Sequence, residues 1–120
     1  MLEALEEADL RKARSFGGAI IGALVVEREH GARYVVYLRA GWISGRSYRI
    51  VQTWRGKQGI RIWKSLDACF SFIRNFGFDG RITVYPIGHP DLERIAGISP
   101  EDSPGGLGDL GDDLVGDFEG

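Results

Sequence analysis

Residues 33–64 carry eight cations, Arg33, Arg39, Arg46, Arg49, Arg55, Lys57, Arg61 and Lys64, and no Asp or Glu. Threaded between them are Tyr34, Tyr37, Trp42, Tyr48, Trp54 and Trp63, which include every tryptophan of the chain. Cations neutralise phosphates, and flat rings accept unstacked bases at roughly 1–3 kcal/mol per base. The chemistry served by this pairing is capture of a single-stranded polyanion. Two other readings stand beside it. Tyrosine and tryptophan also fill cores, and arginine on an exposed strand also discourages edge pairing. A cationic face equally suits an acidic protein partner. Solvated sheet faces usually mix both signs, so the acid-free run favours nucleic acid. The stacking candidates are Trp42, Tyr48, Trp54 and Trp63, with some rings necessarily given to the core. All eight cations are candidate phosphate contacts.

Charge is sorted along the whole chain. Residues 10–95 hold all 15 Lys and Arg with six acids, a formal +9. The last twenty residues hold seven acids and no base, and four more acids lie at the N-terminus, which gives the net −2. A polyanion responds to this local field and not to the sum.

The elements that must position these groups can be read from pattern. Residues 2–14 are strong helix formers with acids early and bases late, and their apolar stripe (Leu2, Leu5, Ala8) is thin, so a peripheral helix is expected over 1–15. Residues 18–28, 33–40, 46–55 and 60–64 read as strands joined by glycine-containing turns, an antiparallel meander. In the third strand Tyr48, Ile50, Gln52 and Trp54 share one side and Arg49, Val51, Thr53 and Arg55 the other. In the fourth, Arg61 and Trp63 lie opposite Ile60 and Ile62. Residues 65–76 change to helical period, with Ser65 as N-cap, Asp67 in the first turn and Gly77 just past the end. Their wide stripe (Leu66, Cys69, Phe70, Phe72, Ile73, Phe76) fits either complete burial or a homodimer contact through this helix. Residues 81–86 form a last strand. The expected fold is α+β: an antiparallel four- to five-stranded sheet with one packed helix, order α-β-β-β-β-α-β. The folded domain spans 16–96.

Residues 97–120 change composition, with Pro100, Pro104, seven glycines and seven acids. Such a stretch buries too little apolar surface to offset its ordering entropy, so a disordered acidic tail is expected. Leu110, Asp112, Asp113, Leu114, Asp117 and Phe118 alternate acidic and apolar character, a pattern of docking segments. Tethered to a cationic body, such a tail competes with nucleic acid at high effective concentration or recruits a protein partner.

A basic, aromatic, β-rich body that ends in this tail resembles, in layout, the single-stranded DNA-binding proteins of bacteria and phages. The four strands and helix are also similar to the Whirly-type single-strand binders, from which the strand after the helix departs. Residues 53–84, including Trp63-Lys64-Ser65-Leu66-Asp67, are similar to plasmid partition-associated proteins of the ParC type. These resemblances imply a non-sequence-specific single-stranded DNA-binding protein from a plasmid or phage. RNA satisfies the same pattern. The rival class is a protein-interaction module, such as a partition or mobile-element accessory protein.

No catalytic constellation is expected. His30 and His89 fall in turns, Cys69 falls on an apolar stripe, and no His or Cys pair has metal-ligand spacing. The reading is a non-enzyme without metal or cofactor. One cysteine fits a reducing compartment, and the longest apolar run is too short to cross a bilayer, so a cytoplasmic protein without a membrane partner is expected.

Overall fold

A computed structural model describes residues 4–42, 47–52 and 59–104. Its elements are β1 (Ala4–Glu6), α1 (Glu7–Ser15), β2 (Ile20–Glu29), β3 (Arg33–Ala40), β4 (Arg49–Gln52), α2 (Leu66–Asn75), β5 (Ile82–Pro86) and a 3₁₀ turn, Pro90–Arg94. The class is α+β, as the pattern implies. The sheet is mixed and not purely antiparallel: its order is β1-β4-β3-β2-β5. The meander accounts for β2, β3 and β4, whose pairs are antiparallel. The departures lie at both edges. β1 pairs parallel to β4 and β5 parallel to β2. The connection that carries α2 returns the chain to the far edge of the sheet in the direction of β2. That is the usual consequence of a helical crossover.

The central strands are buried on both faces, which explains their nearly unbroken apolar runs IIGALVV and YVVYL. One layer contains Ala23, Val25, Tyr34, Val36, Leu38 and Val51 beneath Leu10 of α1 and Cys69 and Ile73 of α2. The other contains Leu24, Val26, Val35, Tyr37 and Ile50 beneath Leu92, with Ile95 and Ile98 packed against it. The strand alternation read from sequence therefore holds at β4: Ile50 enters one layer and Val51 the other. Neither side is open.

Three boundaries differ from expectation. The N-terminal helix is preceded by a strand and is anchored in the core, because Leu5 on β1 and Leu10 on α1 are buried. The expected fourth strand, 60–64, makes only isolated bridges, Gln52 with Ile60 and Tyr34 with Trp63. Residues 97–104, expected in the tail, are part of the fold: Ser99 and Asp102 are buried. This strap is seated by backbone contact. Tyr48 N–H donates to Ala96 O at 2.8 Å. Gly97 has φ +96°, and a Cβ there would lie 1.8 Å from Tyr48 O, so only glycine fits.

α2 has the expected capping chemistry. Ser65 Oγ accepts from Ala68 N–H, Asp67 occupies the first turn and Arg74 the last. Its wide stripe packs within the chain: Cys69 and Ile73 are buried, and Leu66, Phe70, Phe72 and Phe76 are partly buried against the same layer. Burial pushes the Cys69 thiol up to about 12, against a weaker opposing pull from Arg61. The native protein is therefore expected to resist thiol-specific reagents at pH 8, and to react only as fast as it unfolds. Because the folded value lies above the ordinary 9.0, this contribution to stability is complete below pH 9 and is lost as pH rises through the folded value. Urea titrations of wild type and Cys69→Ala across that window check the alkaline loss, and thiol labelling of the native protein at pH 8 checks the burial. Cys69→Ala should flatten the alkaline loss, and rapid native-state labelling would refute the burial argument.

Candidate nucleic-acid interface

The sequence pattern predicts a sheet face carrying cations and rings in the open. The structure corrects this, because both faces of the central strands β2, β3 and β4 are covered by packed elements. Trp63 is the clearest case. It is only 4% exposed and bonds through its backbone to Tyr34 in both directions at 2.9 Å. Its indole enters the helix-covered layer and meets Phe72, with ring centroids 4.9 Å apart. Burial of a large ring outweighs keeping it in water, so Trp63 is a core residue and not an exposed stacking ring. Tyr34 and Tyr37 are buried as well.

The other candidates are spread out. Trp42 is 38% exposed and rests on Gly18, where a Cβ would come within 2.7 Å of its ring. Tyr48 is partly buried against the second layer. Arg39 and Arg49 are partly buried on β3 and β4. Arg33 is exposed and paired with Glu29 at 3.2 Å. With Lys64, Ala32 and Ile62 it lines a hollow of about 630 Å³ at the hairpin end of the sheet. Arg46, Trp54, Arg55 and Lys57 lie outside the described residues, as do Leu110, Asp112, Asp113, Leu114, Asp117 and Phe118.

Arg61 leads to a different surface. It lies just past the bridge to β4 and shares the side of Trp63, as the alternation predicts. Its guanidinium carbon lies 4.6 Å from the Trp63 ring centroid and 5.5 Å from that of Phe72. A cation held over rings in this way gains about 0.5–2 kcal/mol. Beside it, α1 and α2 enclose a groove of about 800 Å³. Its lining includes Arg11, Arg14 and Arg61, with Phe72 and Phe76 as an aromatic wall. Phe72 and Phe76 meet edge to face at 5.0 Å. No carboxylate lines the groove among the described residues.

Local rules explain why these groups converge. Arg11 and Arg14 are three residues apart on α1, so they share a helix face. Arg14 Nη1 donates to Asn75 O at the C-terminal end of α2, where a cation is favoured by the helix dipole. Phe72 and Phe76 are four apart and project from one side of α2. A field from three guanidinium groups, beside ring surface, can bind a chain of phosphates with unpaired bases. Arg11, Arg14, Phe72 and Phe76 are not among the sequence candidates for this role. The i,i+3 arginines at the end of a helix are the available signal.

On the far layer lies a second polar centre. Asp102 is fully buried and accepts from Arg28 Nε at 2.7 Å and Arg28 Nη2 at 3.0 Å. Tyr37 Oη donates to the same carboxylate and accepts from Ser99 N–H at 3.0 Å. Burial first, and Asp102 second, push the Tyr37 phenol well above its ordinary value. The forked geometry satisfies both carboxylate oxygens, as a buried ion pair requires. This centre holds the strap to the sheet.

The fold and site together define a small α+β protein with a five-stranded mixed sheet and a cationic, aromatic groove between two helices. No family model, curated protein or solved structure matches the chain. No helix among the described residues is long and apolar enough to cross a membrane.

Proposed function

We propose that this protein binds single-stranded nucleic acid, DNA in the first instance, without sequence specificity, in the groove between α1 and α2. The observation that carries the reading is the convergence of Arg11, Arg14 and Arg61 with Phe72 and Phe76 on one groove. The folded body, residues 4–104, holds 15 Lys and Arg against 11 acids, a formal +4 that draws a polyanion toward this groove. Exposed Trp42, packed on Gly18 just beyond α1, extends the surface. The acids of residues 105–120 then compete for the same field or recruit a protein partner, from a plasmid or phage context.

Fluorescence anisotropy of a labelled oligo-dT, read against salt, tests this. Phosphate contacts from Arg11 and Arg14 give a slope near −1.4 in log K against log salt, a loss of roughly 7-fold between 50 and 200 mM. Absence of binding at low salt would remove the proposal. A salt-insensitive, hydrophobic contact with a protein partner would favour the rival adaptor reading.

A further inference from the structure

The site does more than supply positive charge: we infer that Arg61 is a stacking platform that seats one unpaired base, making the groove selective for single strands over duplex. The inference rests on the nucleic-acid function proposed for the groove. Its ground is the position of the Arg61 guanidinium, 4.6 Å from the Trp63 centroid and 5.5 Å from that of Phe72. Trp63 is fixed by two backbone bonds to Tyr34 and by burial. The arginine therefore rests on an immobile floor and is ordered before any ligand arrives. A flat, delocalised cation is weakly hydrated and stacks on aromatic faces, unlike an ammonium.

Bases present such faces only when they are unstacked from their neighbours. Arg61 lines the groove, and so do Arg11 and Arg14 of α1, which would take the flanking phosphates. Phe72 and Phe76 add ring surface beside it. The volume of about 800 Å³ falls within the range of small-ligand sites, so it accommodates a nucleotide unit and not only point charges. A duplex keeps its base faces covered and gains only the phosphate contacts.

The test compares two probes of equal length and charge, oligo-dT and an abasic deoxyribose-phosphate oligomer, on wild type and Arg61→Lys. Stacking of one base should make wild type bind oligo-dT about 10-fold or more tightly than the abasic strand. Arg61→Lys keeps the charge and loses the plane. It should retain abasic binding and lose most of the preference for oligo-dT. Equal binding of both probes by wild type would overturn the stacking inference while leaving phosphate binding in place. A lysine variant that keeps the full preference would overturn the assignment to Arg61. Failure of both probes to bind would overturn the underlying function as well. The wild-type comparison needs no variant, so a folding defect in Arg61→Lys does not decide the matter.

Discussion

Asp102→Ala is expected to lower unfolding stability by about 3–5 kcal/mol, the usual penalty for removing one partner of a buried ion pair. The loss has two sources. Arg28, whose side chain is 15% exposed, keeps its charge without the carboxylate that compensates it. Tyr37 loses the acceptor of its hydroxyl, and the strap 97–104 loses its anchor over the second layer. For a domain of this size the melting temperature should fall by roughly 12 °C or more. Glu101→Ala is the matched control. Glu101 is 73% exposed and 3.6 Å from Arg28, and exposed pairs contribute about 0–1 kcal/mol. Truncation separates the role of the strap from that of residues 105–120. A chain ending at Pro104 retains the whole lock, whereas one ending at Ala96 loses it and should be much less stable.

The same centre sets an alkaline limit. The Tyr37 phenol titrates above its ordinary 10.0 because burial and Asp102 favour the protonated form. The stability it supports is complete below pH 10 and is lost as pH rises further, since the unfolded chain ionises first. Tyr37→Phe should be less stable at pH 7 yet lose less between neutral and high pH. Calorimetric melting of these variants measures both effects. A wild-type melting temperature for Asp102→Ala would show that the strap is held by apolar contact alone.

The second large effect concerns the groove. Arg11→Glu with Arg14→Glu is expected to weaken oligo-dT binding about 100-fold or more, because each charged hydrogen bond lost is worth about 1.5–3 kcal/mol. The slope against salt should fall by about 1.4, two contacts at 0.7 each. Arg81→Glu with Arg94→Glu changes net charge equally, at exposed positions that do not line the groove. It should weaken binding far less. Equal losses in the two pairs would mean that the overall field, and not the groove, holds the strand.

Local chemistry was the legible part of this molecule. Ser65, Asp67 and Gly77 mark α2 because capping depends on nearest neighbours. Three strands of the meander were readable from alternation and turns. The parallel edges were not, since pairing of β5 with β2 depends on where a crossover lands and not on residues 82–86 themselves. Burial of both sheet faces was present in the apolar runs of β2 and β3, but the mixed Arg and ring pattern of residues 46–64 invited a one-sided reading. Trp63 shows the ambiguity: the same indole suits a base or a core, and Phe72 decides for the core. The partnership of Arg28 with Asp102 spans 74 positions and has no local signature. The strap therefore read as tail.

The claim on which the rest stands is tested most directly by monitoring backbone amide resonances during titration with oligo-dT. Changes should concentrate at Arg11, Arg14, Arg61, Ser71 and Asn75, along the walls of the groove. Changes centred on Val35, Leu92 and Ile98 in the opposite layer, or an unchanged spectrum at low salt, would contradict it.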